Sequence, residues 1–286
     1  MSVIKMLVVL FLACGENWDK GPVPATHNPQ PQFTKSEGNL MQYTTYQKDM
    51  FQDTIFQRDL TSNALKYIAL IAMFFDHLSA GFIPQETIAG FVLRIPGRVV
   101  APIFCYFIAM GYFYTSNIRK YIERLVIFAA ISHFPYVLYF NLPWWKTTSV
   151  MWSLALGLIA LTIVKSEKLP MYAKLALVFL CCMLAYPADW NFVAVLWIVF
   201  FGIYRGQLNK QIISFVLIGI FAHLIPQIIN MGWHHAYQIG IFLAIPLLLM
   251  YKGRRGRKSN LLKWGFYVFY PLHLIVLYII KYVIYA

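Results

Sequence analysis

Residues 64–83 read ALKYIALIAMFFDHLSAGFI. Twenty mainly apolar residues in helical form cross the roughly 30 Å hydrocarbon core of a bilayer. The middle of this run nevertheless carries Asp76 and His77 side by side. An aspartate at the centre of a membrane helix costs about 2.5–3.5 kcal/mol on insertion scales. Partners elsewhere in the chain must offset that cost.

Similar runs recur at roughly 97–115, 121–140, 148–164, 171–187, 189–204, 211–229, 236–251 and 262–283. Charged residues make up 12% of the chain, about half the share of a soluble domain. The expected fold is all-α, a polytopic membrane helix bundle of about nine transmembrane helices. The net charge of +13 does not call for a nucleic-acid partner, because the basic residues sit in short clusters between apolar runs. These are Arg58 and Lys66; Arg119, Lys120 and Arg124; Lys165, Lys168 and Lys174; Arg205 and Lys210; and KGRRGRK at 252–258. Cytoplasmic loops are enriched in Lys and Arg, so the alternation predicts the N-terminus inside and the C-terminus outside.

The first sixty residues differ from the rest. Lys5 followed by MLVVLFLA (6–13) resembles a signal-peptide apolar region, and Leu12-Ala13-Cys14 hints at a lipoprotein cleavage site. A cleaved signal would leave the following segment outside, against the charge alternation, and Met41 or Met50 are alternative starts. The polar stretch GPVPATHNPQPQ (21–32) is expected to be mobile. The chain therefore divides into an N-terminal segment, 1–61, and a membrane domain, 62–286. Cys14, Cys105, Cys181 and Cys182 form neither a disulfide framework nor a CxxC pair, and no metal site is expected.

On this topology the ionisable residues gather toward the outer face. Asp76 and His77 occupy the outer half of the first span, Arg94 and Arg98 the loop or mouth of the second. His133 lies in the third and His273 in the last, while Asp189 and His234-His235 fall in outer loops. Consecutive helical residues point about 100° apart, so Asp76 and His77 need different partners, an arginine being expected for Asp76. Lys66 and His77 lie on one stripe about 16 Å apart along the axis. A ligand with an anionic head and a long flexible arm would bridge them. Coenzyme A has that shape, with phosphates for Lys66 and a thioester near His77. A snorkelling lysine that anchors the helix end explains the same position.

The strings LKYIALIAMFFDHLSAGF and LRIPGRVVAPIFCYFIAMGYFYTSNIRKYIERLVIFAAISHFPY, with SLALGLIAL (153–161) and FYPLHL near the end, resemble the TraX family of conjugation-associated membrane proteins. The resemblance covers about 62–284. The Lys66–His77 spacing also resembles the first helix of membrane acyltransferase-3 proteins. The TraX resemblance implies acetylation of the amino terminus of a pilin subunit in the inner (cytoplasmic) membrane, with acetyl-CoA as cosubstrate. Acyl transfer needs a base for the nucleophile's proton and donors for the oxyanion. His77 is the expected base or transient acyl carrier, Asp76 positions Arg94 or Arg98, and the arginines stabilise charge. His133 and His273 are further catalytic candidates; Arg119 and Lys120 join Lys66 as candidates for holding the CoA phosphates. An O-acetyltransferase acting on a cell-surface glycan, a pilin assembly factor without catalysis, and a proton-coupled transporter remain open. The absence of an evident internal repeat disfavours the transporter.

Overall fold

The computed structural model describes residues 60–254, 256 and 259–284. The signal-like start, the polar 21–32 stretch and Arg58 lie outside the described residues, as do positions 255, 257 and 258 of the basic run. Among the described residues every regular element is helical, with isolated bridges joining Leu60 to Tyr251 and Thr148 to Ala188.

Helix α1 spans Ser62–Phe82. Thr61 caps it by accepting the Ala64 N–H at 3.2 Å. The helix ends before Pro84, where Ile83 is extended, since a residue preceding proline is pushed out of the helical region. One face buries Leu65, Ala69, Met73, Asp76 and His77, while Tyr67, Ile71, Phe75 and Phe82 face outward. A soluble protein would set polar residues on that outward face; a helix apolar on all sides belongs in a core or a bilayer.

After α1 come α2 (Ile88–Arg94), a 3-10 turn (Pro96–Val99), α3 (Val100–Tyr114) and α4 (Ile118–Tyr139). Helices α5 (Val150–Val164), α6 (Met171–Leu184) and α7 (Asn191–Ile203) follow. Then α8 (Leu208–Ile218) runs through a π-helical segment (Gly219–Leu224) into α9 (Ile225–Met231). A 3-10 stretch (Trp233–Leu243), α10 (Ala244–Leu249) and α11 (Asn260–Ile279) complete the bundle, α11 ending in a π turn (Ile280–Ile284).

Five continuous helical stretches among the described residues are long and apolar enough to cross a membrane: Ser62–Phe82, Ile88–Tyr114, Ile118–Tyr139, Leu208–Met231 and Trp264–Ile284. With their apolar outward faces they give the architecture of a helical membrane protein. Four shorter apolar stretches, Val150–Val164, Met171–Leu184, Asn191–Ile203 and Trp233–Leu249, lie between them. Helix α7 is the central post. Every residue from Val193 to Ile203 is buried, and α7 packs against α3, α5, α6 and α8. Its 13 residues rise only about 20 Å. Protein encloses it, so it has no need to match the bilayer.

The bundle has two distinct ends. At one, the Ser62 N–H donates to the Arg254 carbonyl at 2.9 Å and the Arg205 guanidinium lies 4.4 Å over the Phe113 ring. Lys165 lies 6.0 Å from the same Phe113 ring, and Lys66 is one turn from Ser62 in α1. At the other, the Asp189 N–H donates to the Thr148 carbonyl at 3.1 Å and the Thr148 N–H donates to the Pro187 carbonyl at 2.9 Å. Trp144, Trp145 and Trp233 are exposed toward that end, as aromatic side chains are at a membrane–water interface.

Two local expectations change in detail. Arg94 and Arg98, expected in the loop or at the mouth of the second span, take the mouth: within the stretch Ile88–Tyr114, Arg94 closes α2 and Arg98 lies inside the 3-10 turn, which folds against α1. Gly97 allows this approach, because a methyl group there would collide with the Asp76 side chain. Gly97→Ala is therefore expected to push the turn away from α1. Faster thiol-dye labelling of buried Cys105 would reveal the loosening, whereas unchanged labelling would contradict it. The second change concerns 236–251, expected as one α-helix. The chain there is 3-10 over Trp233–Leu243, a form that rises about 2.0 Å per residue and so extends the segment. Gly240 lets it close on the Ile95 carbonyl, where a side chain would clash.

Candidate active site

A cavity of about 220 Å³ runs inside the bundle beside α1. Ser62, Asn63 and Lys66 line one end, and Asp76, His77 and Arg98 the other. Apolar side chains, among them Met73, Phe104, Phe107, Ile108 and Leu154, wall the space between. The stripe read from the Lys66–His77 spacing is thus one side of a single passage. Lys66 also lies 5.1 Å from the Phe107 ring centre and 5.3 Å from that of Phe266. The volume is below the roughly 300–1,000 Å³ of pockets for drug-sized ligands, so it suits a flexible arm rather than a whole nucleotide.

Neighbours in sequence, Asp76 and His77 have different partners in space. The Asp76 carboxylate accepts from the Arg98 guanidinium through Oδ2 and from Arg94 Nε, at 3.4 Å, through Oδ1. Arg94 Nη1 also donates to Gln85 Oε1 at 3.2 Å, and Gln85 Nε2 reaches His235 Nε2 at 3.1 Å. Both guanidinium groups face the Tyr237 ring, at 4.6 Å for Arg94 and 5.5 Å for Arg98. Arg98 also faces Trp190 at 5.6 Å. Two cations on one carboxylate leave this cluster with an excess positive charge, poised beside the cavity to receive an oxygen that gains negative charge.

His77 turns to α11. Its Nδ1 lies 2.7 Å from His273 Nε2, and His273 Nδ1 lies 2.8 Å from the Phe269 carbonyl. This chain of contacts assigns the tautomers. A carbonyl can only accept, so His273 Nδ1 carries the proton and its Nε2 presents a lone pair. With both rings neutral, His77 Nδ1 donates to that lone pair, leaving His77 Nε2 as a proton acceptor. The ring planes lie within 8° of each other, with centres 5.0 Å apart. Tyr139 donates to the His77 carbonyl at 2.6 Å, fixing α1 against α4 at the same level. A base held by a second histidine, which a carbonyl orients in turn, follows the logic of catalytic triads.

The other sequence candidates divide. His273 touches His77, and Arg94 touches Asp76, without themselves lining the cavity. His133 lies elsewhere: its Nδ1 meets Thr148 Oγ1 at 3.2 Å beside a shallow cleft walled by Trp144, Trp145 and Trp152. Arg119 and Lys120 are exposed in the first turn of α4, while Tyr121 beside them faces the cavity. His234 and His235 fall in the 3-10 stretch, His235 being tied to Gln85.

Sequence reading missed Gln85, Tyr237, Trp190 and His223. His223 is buried, stacks on Trp190 at 4.8 Å and meets Gln238 Oε1 at 3.2 Å. No periodicity links these positions to Asp76. The π-helical segment around His223 is a signal that only coordinates display.

The family model described as TraX protein matches residues 61–281. The chain is also similar to the probable fimbrial assembly protein FimC, serogroup H1, of Dichelobacter nodosus. The two are 28% identical over 232 residues, covering 74% of this chain and 92% of that protein. No solved structure matches.

Proposed function

The chain belongs to the TraX family, and from that premise we propose that it is a membrane-embedded acyltransferase acting on pilin. In this reading it transfers acetyl from acetyl-CoA to the amino-terminal amine of a pilin subunit. The observation that carries the reading is the passage from Lys66 to His77, ending at a histidine whose Nε2 is left as a base. The relative's name, fimbrial assembly protein, supports a role in pilus biogenesis. All nine apolar stretches cross the inner membrane, the four short ones sheltered by the five long ones. The Lys66 end faces the cytoplasm, in keeping with its basic clusters.

The residues present fit acetyl-CoA. Lys66, Ser62 and Asn63 at the mouth would hold anionic and polar groups, and the apolar walls would accept the pantetheine arm. The cosubstrate supplies an activated acetyl thioester. His77 Nε2 takes the acceptor's proton, His273 holds the imidazole in its tautomer, and Arg98 with Arg94 stabilises the oxyanion. His273 is a positioning residue, and its variants separate orientation from packing. His273→Leu should lower kcat about 100-fold with KM for acetyl-CoA unchanged. His273→Gln, which keeps an acceptor near the Nε2 position, should retain most activity. Equal losses in both variants would refute the positioning role.

The direct test supplies isotopically labelled acetyl-CoA to membranes containing the protein and its candidate pilin, then reads the pilin amino terminus by mass spectrometry. Label at that terminus supports the reading. Label on a glycan keeps the enzyme and replaces the acceptor. A folded protein that transfers no label sinks the acyltransferase reading and leaves an assembly factor, the role named for the relative.

A further inference from the structure

A second, larger cleft opens at the end of the bundle opposite Lys66. Its volume is about 640 Å³, and Tyr136, Lys146, Tyr186, Gln227 and Asn230 are among its walls. Asp189 lines this cleft and also the cavity that contains His77 and Arg98. It therefore stands where the two spaces meet. Its backbone is fixed by the bond from its N–H to the Thr148 carbonyl at 3.1 Å. Among the described residues its carboxylate makes no hydrogen bond and no ion pair, because Asp76 takes both nearby arginines. Burial, and then the nearby Asp76, raise the Asp189 carboxyl above its ordinary range against the opposing pull of Arg98 and Arg94, so an arriving ammonium is the partner that favours its ionised form. Asp76 alone leaves those two guanidinium groups with one uncompensated positive charge, which would repel an incoming ammonium. A second, ionised carboxylate at the junction cancels that excess and gives the ammonium a counter-charge at the point of entry.

We propose that Asp189 is the anchor for the acceptor's primary ammonium group, which reaches it through the Tyr136–Asn230 cleft. The proposal rests on the acyltransferase reading and specifies how that site selects an amine. The ligand class is a peptide amino terminus, the cleft being large enough for the first residues of an extended chain. The anchored ammonium first sheds one proton to water in the cleft. The nitrogen lone pair then attacks the thioester carbonyl, the C–N bond forms and the C–S bond breaks. The second amine proton passes to His77 Nε2 and from there to the departing sulfur. Donor and acceptor thus enter from opposite ends and meet between His77 and Asp189.

The test measures binding and transfer separately on the full chain in nanodiscs. The probe is an alanine-rich decapeptide labelled at its carboxyl end, with its amino terminus either free or acetyl-capped. The wild type should bind the free-amine peptide at least tenfold more tightly than the capped one. Asp189→Asn should bind both equally weakly, and Asp189→Glu should keep the preference. Thermal unfolding followed with a thiol-reactive dye on the buried Cys105, Cys181 and Cys182 should match the wild type, which shows that Asp189→Asn is folded. Equal binding of both peptides by the wild type overturns the anchor, as does an undiminished preference in Asp189→Asn. Amine-selective binding that depends on Asp189, without any acetyl transfer by the wild type, preserves the ammonium site and refutes the acyltransferase reading instead.

Discussion

Membranes carrying His77→Ala should transfer labelled acetyl to the acceptor about 10²–10⁴-fold more slowly than wild type, the range over which a positioned general base acts. The loss should fall on kcat. His77 stands at the far end of the cavity from Lys66, and removing its ring widens the passage without touching the mouth, so acetyl-CoA binding should persist. His77→Gln is the stricter variant. It keeps a polar side chain of similar length that can still donate toward His273, but it has no basic nitrogen. Both variants should be equally slow if proton acceptance is the role. Wild-type rates in either one would remove His77 from the mechanism and return it to helix packing, where its contacts with His273 and Phe140 give it ample reason to exist.

The second large effect concerns stability and follows from an asymmetry in the ion cluster. Asp76 serves two arginines, so Asp76→Asn strands both guanidinium groups inside the bundle. Breaking a buried pair in this way costs about 3–5 kcal/mol. Arg98→Met is expected to cost less, because Asp76 keeps Arg94. Arg94→Met should cost least, since Arg98 holds the carboxylate through the buried contact. The buried thiols of Cys105, Cys181 and Cys182 allow the order to be read as thermal unfolding with a thiol-reactive dye, in a Cys14→Ser background. Finding Arg98→Met less stable than Asp76→Asn would show that the turn at Pro96–Val99 is held by packing rather than by charge. The same asymmetry separates stability from chemistry: Arg94→Met should unfold almost as wild type while losing part of its transfer rate.

The positions of Asp76 and His77 in an apolar run were sufficient to expect buried partners, because an unpaired ion inside a bilayer is too costly to persist. Helical geometry then required those partners to differ, and it placed Lys66 and His77 on one stripe of α1. Composition, the recurrence of apolar runs and the spacing of basic clusters carried the class of fold in the same way. These are local properties, with periods of a few residues, and one strand of sequence displays them without a tertiary frame. Which arginine meets Asp76, and that both do, depended on a 3-10 turn that Gly97 lets approach α1. That His273 rather than His133 joins His77 depended on how α11 packs beside α1 and α4. Asp189 lies 113 positions from Asp76 in the chain and shares a cavity with it through the placement of α7. Contacts of that kind are decided by how apolar helices fit one another, an interaction without direction or period, and only the assembled bundle displays them.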